Sequence, residues 1–125
     1  MKKFLALALI GMFTTLSVMA QGDIKFAEAG YKFGKIQQSV PATHEFIFTN
    51  ASNKPVVIEF ATAECGCTTP EYAKEPIMPG KSSKVKVTYN AAATGEFTKR
   101  VTVKFAGIAE PTVLTISGEV VAKTK

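Results

Sequence analysis

From Ile24 onward, apolar and polar residues alternate through short runs, and turn-forming residues break the alternation roughly every ten positions. Period-two alternation is the pattern of strands with one buried face, and no segment carries a helical period. "DIKFAE" sets Ile24 and Phe26 on one side, and "YKFGKI" does the same with Tyr31 and Phe33 before Gly34 bends the chain. "THEFIFTN" alternates His44, Phe46 and Phe48 against Glu45, Ile47 and Thr49, then stops at the turn-rich "NASNKP". "VVIEFATA" is β-branched and aromatic enough to predict a central strand, and it delivers the chain to Cys65. Three later runs turn Val85, Val87 and Tyr89, then Val101, Val103 and Phe105, then Leu114, Ile116 and Val120 inward. The pattern predicts an all-β fold: a single immunoglobulin-like antiparallel β-sandwich of about seven strands. Its expected core includes Phe46, Phe48, Ile58, Val87, Tyr89, Val101, Val103 and Ile116, each on the inward parity of its strand.

Between Thr68 and Gly80 the pattern predicts no strand, because Pro70, Pro76 and Pro79 each lack an amide donor and restrict their neighbours. "MPGK" fits a type II turn, with Pro79 supplying the fixed φ and Gly80 the positive one. Ahead of the first strand, "MKKFLALALIGMFTTLSVMA" has two lysines, an apolar run and the small residues Val18 and Ala20 before a cut at Gln21. Residues 1–20 therefore read as a cleaved signal peptide and residues 21–125 as one immunoglobulin-like domain, periplasmic or secreted. No second apolar stretch is long enough to span a bilayer, so no membrane span is expected after cleavage.

Cleavage would also remove Lys2 and Lys3, lowering the net charge from +5 to +3. The remaining lysines are scattered singly along strands, where they read as solvent faces, and no nucleic-acid partner is expected. Hydrolytic chemistry of the serine, histidine, acid type has little to work with. His44 and Asp23 are the sole histidine and aspartate, they lie on different strands, and no G-x-S-x-G turn is present. His44 reads as a hydrogen-bonded histidine at the sandwich rim. Phosphate loops and dinucleotide fingerprints are absent, so no cofactor is implied and the chain does not read as an enzyme.

Chemistry could rest only on Cys65 and Cys67, which admit three readings. In an oxidising compartment two cysteines usually pair, and Gly66 between them is expected to let the backbone fold tightly enough for a disulfide. So short a ring gains little from loop closure, so it would be a weak staple. A redox role is the second reading. Against it stand Glu64, Glu71 and Glu75, answered only by Lys74, because reactive thiols need electropositive surroundings. A metal site, zinc or Cu(I), is the third. It lacks the usual zinc spacing, and beyond the signal segment it has only Met78 and the distant His44 to recruit.

The order "FGKI", "HEFIFTN", "CGCTTPEY", "KEPIMPGKSSKVKVTYN", "GEFTKRVTV", "ISGEV" resembles a domain-of-unknown-function family of short exported bacterial proteins, common in Bacteroidetes and marked by a Cys-Gly-Cys-Thr motif. Cys65, Gly66, Cys67 and Thr68 match that motif, while Glu64 stands where a small polar residue is expected. The resemblance covers nearly the whole chain beyond the signal segment. It implies an immunoglobulin-like fold akin to Hydin-type and sperm-protein-type modules, and it implies no activity.

These observations point to an exported, non-enzymatic binding or scaffolding module with a protein partner. The alternative is a periplasmic thiol-based factor, redox or copper-handling, acting through Cys65 and Cys67. Processing is directly testable: intact mass of the exported protein is expected to place its first residue at Gln21. A membrane-retained, unprocessed chain would reverse the predicted location.

Overall fold

A computed structural model describes residues 24–122. Residues 1–23, with the stretch expected to be a signal peptide, and residues 123–125 of the "AKTK" tail lie outside the described residues. Eight strands form: β1 (Ile24–Phe26), β2 (Gly30–Gln37), β3 (Ala42–Asn50), β4 (Ile58–Ala63), β5 (Thr68–Tyr72), β6 (Ser82–Tyr89), β7 (Gly95–Phe105) and β8 (Thr112–Val121). They build two four-stranded sheets, ordered β1-β3-β6-β5 and β2-β8-β7-β4. This is the expected immunoglobulin-like all-β sandwich. No helix of the described residues is long and apolar enough to cross a membrane.

The alternation places the core. Phe46, Phe48, Val85, Val87, Val101 and Val103 are fully buried, and Ile58, Tyr89, Phe105, Leu114, Ile116 and Val120 nearly so. Burial of a side chain of this size contributes about 1.5–3 kcal/mol, which is why the parity of each strand is fixed. Aromatic rings join the sheets at two levels. Phe48 of β3 meets Phe105 of β7 edge-on at 5.3 Å between centroids, and Phe26 packs against Phe48 at 5.2 Å. Tyr89 of β6 stacks on Phe97 of β7 at 4.1 Å.

Four expectations need correction. The segment after the cysteines does begin with a strand: β5 pairs with β6 from Thr68↔Tyr89 to Tyr72↔Val85, with Pro70 inside it. β5 is an edge strand, where a proline can face the unpaired side without breaking a ladder. This strand takes the number from seven to eight. The run expected to be a central strand, β4, also lies at an edge, and a register shift around Glu59 leaves Phe60 40% exposed. The sandwich is not wholly antiparallel, because β2 pairs in parallel with β8. The chain leaves β1 in one sheet, crosses through Ala27–Ala29 and joins the other sheet beside the last strand. Parallel neighbours need a long connection between them, and the intervening strands provide it.

Two positions show how closely the parts are fitted. Phe33 and Gly34 together oppose Gly118 in a bulge, with Gly34 at φ 74°. A Cβ on Gly118 would sit 2.7 Å from the Gly34 carbonyl oxygen and 3.0 Å from the Phe97 ring. At the other end, Asn50 is wholly buried and uses its full hydrogen-bonding capacity. Its Nδ2 donates to the carbonyls of Lys54 (2.7 Å) and Ile77 (2.9 Å), while its Oδ1 accepts from the Ser52 amide (2.9 Å) and hydroxyl (2.6 Å). The Pro79–Gly80 turn closes as expected, with the Lys81 amide donating to the Met78 carbonyl at 3.0 Å and Gly80 at φ 79°.

Gly118→Ala is expected to destabilise the domain by about 1–3 kcal/mol, because backbone and an aromatic ring cannot both yield. Denaturant unfolding checks this, and an unchanged midpoint would mean that the bulge relaxes freely.

Candidate functional site

Cys65, Gly66 and Cys67 form the turn that carries the chain from the edge strand of one sheet, β4, to the edge strand of the other, β5. The cysteine Cα atoms are 5.3 Å apart and the sulfurs lie at disulfide distance. Both cysteines are half-buried, and Cys67 packs against the core. Thr68, 3% exposed, sits beneath them with its hydroxyl 3.9 Å from Cys65 Sγ and 3.6 Å from Cys67 Sγ. The turn is tied down on both sides. The Asn90 amide donates to the Cys67 carbonyl at 2.9 Å, and the Glu64 amide donates to the Arg100 carbonyl at 3.3 Å.

Gly66 is not the enabling residue expected from the sequence. Its φ is not positive, and a Cβ there would meet nothing within 4 Å, so neither backbone strain nor crowding requires glycine. The acidic neighbours also differ from expectation. Glu64 Oε1 accepts a hydrogen bond from the Arg100 amide at 3.0 Å, where the backbone of β4 no longer reaches β7. Glu71 lies 3.9 Å from Lys86, so the nearby cation comes from β6, a strand the sequence places far away, in addition to Lys74. In the sequence Glu64 presents a charge and a departure from the motif, but no bond. Its bonding role depends on which residue of β7 faces it, and pairing across strands is not written in local sequence.

His44 stands apart from the cysteines. It bonds Glu28 through Nε2, stacks on Tyr31 at 3.6 Å and meets Phe46 edge-on at 4.8 Å. This is the hydrogen-bonded rim histidine expected from its strand face, set where the chain crosses between β1 and β2. Met78, exposed, follows the Ile77 bridge to Val56 at the far end of β5 from the cysteine turn. The structure therefore does not bring His44 or Met78 to the cysteines. Among the described residues, no three His, Cys, Asp or Glu side chains converge as a metal-ligand set. The other face of the first sheet is polar, with Lys84 paired to Glu45 and holding that carboxyl below its usual range through a hydrogen bond.

A family described as a protein of unknown function, DUF1573, matches residues 24–120. The chain belongs to this family. No curated protein matches the sequence. Among solved structures, a protein of unknown function from Porphyromonas gingivalis is similar with a TM-score of 0.67 and 12% identity, over 77% of this chain and 46% of that one. The DUF1573 chain thus spans about half the length of that protein. The ASH/PapD-like domain of human CEP192 is similar with a TM-score of 0.69 and 9% identity, over 82% of this chain and 87% of that one. The chaperone YadV is similar with a TM-score of 0.58 and 14% identity, over 79% and 52%. At these identities the likeness is one of fold.

Glu64→Ala is expected to cost about 0.5–1 kcal/mol, because it removes an exposed hydrogen bond to the Arg100 amide where β4 ends. Amide exchange at Arg100 should accelerate with it, and unchanged protection would show that water or another acceptor serves that amide.

Proposed function

We propose that this DUF1573 domain is an exported, non-enzymatic binding or scaffolding module that engages a protein partner. The observation that carries the reading is the placement of the cysteine pair. It is a half-buried corner between two edge strands, anchored by backbone bonds to Asn90 and Arg100 and set over a buried threonine. A thiol that attacks other proteins needs access and a cationic setting. Here the carboxylates of Glu64 and Glu71 stand among the nearby cations Lys86 and Arg100, and no histidine approaches. The pair is better suited to shaping the β4–β5 corner than to exchange chemistry. The shared fold of a chaperone and a PapD-like domain supports protein binding, and location outside the cytoplasm rests on the signal-like segment at residues 1–20.

In this reading Cys65 and Cys67 are oxidised to each other after export. The ring closes over a single intervening residue, so replacing both cysteines by serine should lower global stability by only about 1 kcal/mol or less. Free-thiol counting on exported protein should find none, and the domain should not accelerate disulfide exchange in a reduced model substrate. Exchange activity that disappears in the double serine variant would overturn the binding-module reading in favour of a thiol-based factor. Free thiols with tight Cu(I) binding would favour copper handling.

A further inference from the structure

A sandwich that grips partners by strand addition must leave one edge open, and each named edge strand here is guarded. β5 carries Pro70. β4 carries the register shift at Glu59, and β2 carries the Gly34 bulge flanked by Lys32 and Lys35. β1 is only three residues long. Bulges, prolines, lysines and shortness are the devices that discourage edge pairing. The stretch of β3 that β1 does not cover lies beside the Glu28–Tyr31 crossing, whose side chains bond and stack on His44.

A long stretch left unpaired beside an edge strand lies on β7. β7 runs from Gly95 to Phe105, yet β4 pairs with it only at Val101–Phe105. The chain then turns away at Cys65 into the other sheet. The direction of the backbone groups beyond that point follows from the ladder. Arg100 uses its amide and carbonyl toward Glu64, and its partner across the ladder, Thr115, donates away from β7 to Ala29 at 2.9 Å. Pairing with β8 continues without a shift to Gly95↔Val120. Alternate residues of an antiparallel strand face the same way, so the amides and carbonyls of Glu96 and Thr98 also face the side β4 has vacated. Both residues are exposed, and Gly66 at the foot of this gap has open space around it.

Charge selects the occupant. The ion pairs among the described residues use His44, Lys84, Lys86 and Lys104, so Lys99 has no carboxylate partner at the lower end of the gap, whereas Arg100 already faces Glu64, whose carboxylate accepts from its amide. Glu96 stands at the upper end. We propose that the Glu96–Lys99 edge of β7 accepts an extended segment of a partner protein, antiparallel to β7 and in the line of β4, with an acidic residue in its N-terminal half against Lys99. Main-chain bonds give such pairing its affinity, and alternate side chains give it selectivity. The proposal rests on the binding-module reading and names its surface and the chemistry of its partner.

The test uses the acetylated, amidated peptide Glu-Val-Glu-Val-Thr-Val and its counterpart with lysine in place of glutamate, titrated into the whole exported domain and followed by backbone amide shifts. The acidic peptide should perturb Glu96, Thr98, Lys99 and the Cys65–Cys67 turn, and should bind at least about tenfold more tightly than the basic one. Thr98→Pro removes an amide that β8 does not use, so it should fold and lose binding. A Lys99→Glu variant, with the change partly exposed, should reverse the preference between peptides even if Thr98→Pro fails to fold. Shifts confined to β2 or β5 would overturn this edge assignment and leave a binding module standing. No shifts with either peptide, or a dimer formed through this same edge, would overturn it as well. Disulfide-exchange activity would instead defeat the underlying reading.

Discussion

Contact between aromatic rings of opposite sheets is the interaction on which the rest of this domain depends. Phe26 and Phe48 from one sheet close on Phe105 of the other, and Tyr89 lies flat against Phe97 at the opposite level. Rings of this size bury more area than aliphatic side chains and add orientation, so they set both the spacing and the relative slide of the sheets. The small features follow from it. Gly118 is small because Phe97 and the Gly34 carbonyl occupy the space a side chain would take. The cysteine turn must span the same gap on the lateral side, where β4 and β5 face each other with no strand between them.

The inward faces were legible because burial imposes a period of two that no other structure shares. Phe46, Phe48, Val85, Val87, Val101 and Val103 could be assigned from alternation alone. Which sheet each strand joins was not legible, because strands of both sheets obey the same period. The parallel β2–β8 pair, the edge position of β4 and the strand containing Pro70 all turn on that missing information. Proline argues against a strand only where both sides of the backbone must pair. Glu64 was missed for a related reason: its partner, the Arg100 amide, lies thirty-six positions away.

The cysteine site was legible in composition but not in setting. Spacing allowed a disulfide, a thiol pair or two metal ligands, and only neighbours brought by folding weigh among them. Those neighbours are a buried threonine, two anchored backbone groups and carboxylates already engaged, with His44 bonded elsewhere. An immunoglobulin-like scaffold carries no activity of its own, so the use of the domain is decided at its corners and edges.

Asn50 gives the fold a means of counting. Its side-chain amide meets two carbonyls and two donors drawn from the loop that follows β3 and from the segment that precedes β6. Were β3 to slide by one residue along β6, Thr49 or Ala51 would arrive at that place. A threonine has one donor and an alanine side chain has none, so at least one buried carbonyl would lose its partner. Hydrophobic parity already forbids a slip by one, but a slip by two would keep Phe46 and Phe48 on the inner face. The buried amide penalises that second error too, so alignment of the β3–β6 pair is checked by chemistry where greasiness alone could not tell right from wrong.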